Sequence, residues 1–352
     1  MTEQPGQRPT VQQVLGQLEQ EGLLEPGADE RARAALRAGQ PGGEALPWYV
    51  RVLMGAGAWV STLCALGFLS LTGLISGRPA MAVMGLLCAG GGLALRRSSS
   101  ADFLVQLSLS LSMAGRAMLY ASLADENTAL AALAVLAGEL LTVVFFPDVV
   151  GRFVATLGAW SALLVLLYQT AAPGVLLDAA AAGGLGALTA LAWVLQPALL
   201  RRGLVEQHAP VAYGLAVALL AQRFSWWHLG GHTPWAAGLA LLAVGVATGE
   251  AILRELRVTD PRPRALVAAM IALLGLLTLG SPGIAAALLV MALGVHRRAP
   301  LLGGLAAAFL LIFGVKFYYD LDIGLLAKSG LLLGCGLLLL GARALVERRR
   351  TA

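Results

Sequence analysis

Residues 52–75 read VLMGAGAWVSTLCALGFLSLTGLI, without one Asp, Glu, Lys, Arg or His. Wound as a helix at about 1.5 Å per residue, such a stretch is long enough to cross a hydrocarbon layer about 30 Å thick. Lipid offers no hydrogen bonds to a bare peptide group, so backbone inside it must satisfy itself, which a helix does within one segment. The stretch therefore reads as a membrane-spanning helix. Working outward from it, comparable apolar runs fall at 79–95, 103–123, 129–146, 153–170, 174–196, 210–225, 235–253, 265–280, 283–296, 301–317 and 323–346, which makes twelve with the first. The fold class that follows is all-α, a polytopic transmembrane helical bundle of about 12 spanning helices. The runs at 210–225, 265–280 and 283–296 are short, and one of them is open to a second reading as a re-entrant or broken helix.

Composition agrees. Of the 352 residues 58% are hydrophobic and 13% charged, whereas soluble domains are about 45–50% apolar and about 25% charged. The net charge of +5 does not point to nucleic acid. Its basic residues sit in short clusters between apolar runs, where topology determinants belong, and they form no continuous basic face. With the N-terminus placed in the cytoplasm and the runs alternating, the inside segments hold twenty of the 25 basic residues, among them Arg96, Arg97, Arg152, Arg201, Arg202, Arg254, Arg257, Arg262, Arg264, Arg297 and Arg298. An odd number of spans would break this alternation, so both termini are expected in the cytoplasm. Trp48 and Tyr49 before the first run, Trp226 and Trp227 on an outer loop, and Tyr318 and Tyr319 at another outer boundary suit the aromatic belts. This charge pattern is that of a bacterial inner-membrane protein.

Residues 1–46 are polar and carry charges of both signs. They lack the basic start and apolar core of a signal peptide, so the first run is expected to act as an uncleaved anchor. Thr10 and Gln13 fit a capping box. Val11, Val14, Leu15 and Leu18 then fall on one helical face. The organisation expected is a small cytoplasmic helical segment and linker at 1–46, then the transmembrane bundle at 47–352.

Ionisable residues within a span are expensive and each needs a reason. Arg116 lies seven residues from the outer end of its run and Glu139 ten from the outer end of the next. Joined by a short loop, the two helices are antiparallel neighbours, and the two depths differ by about 4–5 Å, so a buried Arg116–Glu139 ion pair is expected. It reads either as a structural pair that fixes register or as part of an intramembrane polar site. Asp178, five residues into its run, is the third candidate for such a site. At the periplasmic face, Lys316, Tyr318, Tyr319, Asp320, Asp322 and Lys328 form a second candidate cluster. Its plainer reading is a neutralised interfacial hairpin in which Lys328 snorkels towards Asp320 or Asp322. Glu250 and Arg254, one turn apart, read as a local interfacial pair. Gly245-x3-Gly249 and Gly330-x3-Gly334 are small-residue pairs of the kind that let helices approach in lipid. Cys64, Cys88 and Cys335 form no CxxC and are expected to be small core-facing residues. His228 and His232 are four apart, but Gly230-Gly231 interrupt any helix between them and no third ligand is in view. No metal site or cofactor is expected, and no motif of a soluble catalytic domain occurs.

Three stretches carry a resemblance: PWYVRVLMGAGAW at 47–59, DFLVQLSLSLSMAGRAML at 102–119 and FYYDLDIGLLAKSGLLLGCGLLLL at 317–340. Together they resemble an uncharacterised bacterial integral inner-membrane family known as a domain of unknown function, over nearly the whole chain from about residue 45. The resemblance implies genomic neighbours, a second multi-helix membrane protein and a small protein with a Gly-Asp-Tyr motif. It implies no active site. Two functional readings stand. One is a subunit of a membrane assembly, with the bilayer and other membrane proteins as partners and no nucleic acid. The other is a transporter or flippase for a small or lipid-linked substrate. A membrane-embedded enzyme ranks below both, because no convergent set of His, Asp and Glu is in view.

Overall fold

In a computed structural model of the chain, residues 30, 48–99, 101–123, 128–170, 174–224 and 235–320 are described, the side chains of 48, 51, 170, 223, 224 and 320 excepted. Two compact units divide the chain, residues 1–57 and 58–352. In the first, the described residues are 30 and 48–57, and all are helical. Apart from residue 30, the expected helical segment within 1–46 lies outside the described residues, as do the last run at 323–346, His228, His232, Trp226, Trp227, Asp322, Lys328 and Cys335.

Among the described residues there are twelve helices: α1 (Trp48–Leu71), α2 (Arg78–Ser98), α3 (Asp102–Leu123), α4 (Thr128–Phe145), α5 (Val149–Thr170), α6 (Val175–Val194), α7 (Gln196–Arg201), α8 (Val205–Phe224), α9 (Trp235–Glu255), α10 (Pro261–Leu277), α11 (Pro282–His296) and α12 (Pro300–Asp320). Eleven coincide with apolar runs, and the short α7 was not expected. Seven are long and apolar enough to cross a membrane: α1 from Val52, α2, α4, α5, α6, α9 and α12. The other long helices fall outside that set for local reasons. Polar residues Asp102, Gln106 and Arg116 and four serines dilute α3. The apolar run at 210–225 proves to be the later part of a 20-residue helix, because α8 opens through Glu206, Gln207 and His208 before Pro210. Helices α10 and α11 have 17 and 15 residues, so α11 is only about 22 Å long.

Large apolar side chains stay exposed along α1, α2, α4 and α12, among them Leu63, Phe68, Leu71, Leu87, Leu133, Leu141 and Leu311. In water such surface would be an aggregation liability, whereas in lipid it needs no protein cover. Cys64 belongs to this surface. It is exposed, against the expectation that it faces the core, and Cys88 is half-buried. The inward face of α1 is instead marked by Ala58 and Thr62.

Within the second unit a core of Leu185, Leu219, Leu220, Leu241, Val290, Leu293 and Leu302 joins α6, α8, α9, α11 and α12. The α2–α3 hairpin is held differently, by a seam of small residues. A Cβ on Gly85 would stand 2.8 Å from the Gly115 carbonyl oxygen, and one on Gly92 would stand 2.7 Å from that of Ser108. Gly85, Ala89 and Gly92 of α2 thus lie backbone to backbone on Ser108, Ser112 and Gly115 of α3, the close approach that small residues permit in lipid. Gly245 and Gly249, by contrast, face side chains of α10, Ile271 and Val267, and no backbone, so the Gly245-x3-Gly249 pair marks a looser crossing of α9 with α10.

Arg297 ties three helix ends together. Its Nε donates to the Trp193 carbonyl at 2.8 Å and its Nη2 to the Val194 carbonyl at 2.6 Å. Nη1 and Nη2 also fork onto the Glu255 carboxylate at 2.8 Å each. The C-termini of α6 and α9 therefore meet the C-terminus of α11 on one face, where a cation offsets the negative ends of the helix dipoles. On the same principle of shared ends, Arg152 at the start of α5 reaches Glu206 at the start of α8 at 3.7 Å, and Arg264 at the start of α10 pairs with Glu250 near the end of α9. Two of these turns close with an arginine in the left-handed region, Arg257 at φ 55° and Arg298 at φ 52°. The Val258 N–H reaches back to Leu253 at 3.0 Å and the Ala299 N–H to Gly294 at 2.8 Å, which satisfies last-turn carbonyls.

Candidate functional site

The first half of the bundle buries a polar helix. On α3, Ser108, Ser110, Ser112, Arg116 and Ser122 are all buried. Most of the hydroxyls turn back to their own helix: Ser108 donates to the Val105 carbonyl at 2.7 Å, Ser110 to Leu107 at 3.1 Å and Ser122 to Leu119 at 2.6 Å. Ser110 also shares a hydrogen bond of 2.7 Å with Thr62 of α1. With its small residues given to the seam against α2, α3 presents its one cation to α4.

That cation is Arg116, and the structure brings it to Glu139. The Arg116 Nη1 donates to the Glu139 Oε2, with the two side chains only 9% and 7% exposed. Tyr120, one turn after Arg116 on α3, donates its hydroxyl to the Glu139 Oε1 at 3.0 Å. Gly158 of α5 closes the other side, since a Cβ there would stand 3.0 Å from the Glu139 carboxyl carbon. Each carboxylate oxygen thus accepts one charge-assisted hydrogen bond, and a carboxylate offers about four acceptor sites in all. On the arginine, the buried Nε has no partner among the described residues.

Glu139 and Tyr120 also line a groove of about 430 Å³ between α4 and α5. Small and apolar residues, among them Ala132, Val135, Gly158, Ala162 and Val165, make up most of its lining, and Ser161 adds a hydroxyl. From Thr128 at the start of α4 to Glu139, the groove runs about 16 Å along the helix axis. A smaller cleft of about 120 Å³ lies between α9 and α10 beside Glu250 and Arg264. There Glu250 takes a hydrogen bond from the Arg254 Nε at 3.0 Å besides its pairing with Arg264, so the expected local pair is one arm of a three-residue cluster.

The other candidates stand elsewhere. Asp178 is half-buried in the first turn of α6, where an acid suits the positive end of the helix dipole, and α6 packs mainly on α9, α8 and α11. Tyr120 joins the pair through its hydroxyl on Glu139. Tyr318 and Tyr319 occupy the last turn of α12, which ends at Asp320, and Lys316 stands just before that turn. The two tyrosine rings meet edge to face at 5.6 Å, and Tyr319 is 75% exposed. Among the described residues no group of three His, Cys, Asp or Glu is placed to hold a metal ion.

Sequence reasoning missed Tyr120, the glycine at 158 and the seam of Gly85, Gly92 and Gly115. Tyr120 was legible in principle, because it stands one turn from Arg116 on the same face. The seam was legible too, as small residues at 85, 89, 92 and at 108, 112, 115. Gly158 carries no sequence signal, since its role depends on where α5 crosses α4.

Residues 47–349 match the family described as domain of unknown function DUF4401, and the chain belongs to that family. No curated protein and no solved structure matches it.

Proposed function

We propose that this member of the DUF4401 family is a twelve-span protein of the bacterial inner membrane, with both termini in the cytoplasm, that works as a helical subunit of a membrane assembly. One observation carries the assembly reading: the buried charges answer one another. Arg116 and Glu139 form a neutral pair, and Tyr120 occupies a further acceptor position. Such a pair fixes the register of α3 on α4, whereas an ion or proton relay needs a carboxylate free to change its charge. The shared helix ends at Arg297 support the alternating topology, and the arginine-rich turns support placing that face in the cytoplasm. Residues 1–46 and the outer cluster around Lys316, Tyr318 and Tyr319 are the proposed contacts. The genomic neighbours implied by the family resemblance are the first partners to look for.

The test is isolation of the chromosomally tagged chain in mild detergent, read by quantitative mass spectrometry. A stoichiometric membrane partner, lost when residues 1–46 are removed, is the expected result. Recovery of the chain alone contradicts the assembly reading and favours the second one, transport of a small or lipid-linked substrate, for which the groove between α4 and α5 is the specific observation.

A further inference from the structure

The groove between α4 and α5 combines three properties that together select an occupant. First, its volume of about 430 Å³ falls within the range of about 300–1,000 Å³ typical of small-molecule sites, which pair apolar walls with a few convergent polar groups. Second, its length of about 16 Å is about half of a hydrocarbon core of about 30 Å. A partner's transmembrane helix would lie along the whole thickness, whereas a chain-bearing molecule from one leaflet spans half of it. Third, the polar group at its deep end is a carboxylate whose charge is already matched by Arg116. A charged head would bring an uncompensated charge into lipid, the expensive state. A hydroxyl adds none, and it can donate to an acceptor site on Glu139 that Arg116 and Tyr120 leave open.

We infer that this groove binds a neutral lipid bearing a hydroxyl, with the hydroxyl donating to Glu139 and the apolar chain lying over Ala132, Val135 and Val165 between α4 and α5. The site does not depend on the assembly reading. A subunit could hold such a lipid as a fixed ligand, and under the second reading it is the class of molecule moved.

The probe is farnesol carrying a diazirine, added to the full chain in phosphatidylcholine nanodiscs and photolysed. Peptides of α4 and α5 are expected to label, and unlabelled farnesol is expected to compete. Farnesyl methyl ether, which lacks the donor, should compete about tenfold more weakly, given the worth of a hydrogen bond to a charged acceptor, and the cationic farnesylamine should also compete more weakly than the alcohol, because its charge finds no counter-charge beside the matched pair. Ser161→Phe fills the groove from an exposed position and leaves the pair intact, so it should abolish labelling while the protein stays monodisperse. Labelling that methyl ether and alcohol compete equally, or that survives Ser161→Phe, means that bulk lipid fills the groove and overturns the inference. Absence of labelling overturns it as well. None of these outcomes depends on whether a protein partner co-purifies, so failure here is separable from failure of the assembly reading.

Discussion

Replacing Glu139 with Gln is the most informative single change in the bundle. The substitution keeps the shape of the side chain and an acceptor for the Tyr120 hydroxyl, but it leaves Arg116 as an uncompensated cation on a side chain 9% exposed. That arginine already has a buried Nε without a partner among the described residues. Removing one partner of a buried pair destabilises by about 3–5 kcal/mol. Arg116→Met is predicted to be milder, because the stranded carboxyl can take up a proton whereas a guanidinium cannot give one up. The double variant, Arg116→Met with Glu139→Gln, removes both charges and retains an acceptor for Tyr120, so it is expected to recover most of the loss. The assay is thermal melting in detergent, followed as loss of the monodisperse species, for the four proteins side by side. The predicted order of stability is wild type and double variant together, then Arg116→Met, then Glu139→Gln. Equal melting of Glu139→Gln and the double variant would refute the claim that the two charges answer each other in the folded bundle.

Three further outcomes follow from the same geometry. Gly92→Ala places a methyl group where Ser108 and Ser112 backbone now lies, and should destabilise by about 1–3 kcal/mol, while Gly90→Ala, with nothing within 4 Å, should be neutral or better in the same melt. Tyr120→Phe removes one hydrogen bond to the carboxylate and should lower stability by about 1.5–3 kcal/mol. Arg298→Gly relieves a left-handed backbone at φ 52° and should raise thermal stability by up to about 1 kcal/mol, whereas Arg297→Ala should lower it sharply, because α6 and α9 lose a shared anchor.

Much of the fold was legible because lipid makes the rule simple: an apolar run of sufficient length becomes a helix. The runs at 52–75, 129–146 and 235–253 needed nothing more. What the rule cannot give is where polar residues extend a helix, as Glu206, Gln207 and His208 extend α8, or where a chain breaks and restarts, as at α7. The Arg116–Glu139 contact was legible because a short loop between two runs forces neighbouring antiparallel helices and so fixes relative depth. The groove was not, because it depends on the small side chains of α4 and α5 meeting across a crossing that no spacing within either helix encodes. Cys64 was misread for a related reason. An apolar run does not reveal which of its faces meets protein, and in lipid both faces are equally apolar.

The alternation of the helices sets the depth of the pair, the orientation of the groove and the side on which partners dock, so membrane topology is the measurement to make. In a background with Cys64, Cys88 and Cys335 replaced by alanine, single cysteines are placed at Ser76, Ser98, Arg202, Arg257 and Tyr319, and cells are treated with a membrane-impermeant maleimide before and after permeabilisation. The account predicts that Ser76→Cys and Tyr319→Cys label in intact cells, and that Ser98→Cys, Arg202→Cys and Arg257→Cys label only after permeabilisation. Labelling of Arg202→Cys and Arg257→Cys from opposite sides would contradict it, because Arg297 joins the ends of α6 and α9 on one face.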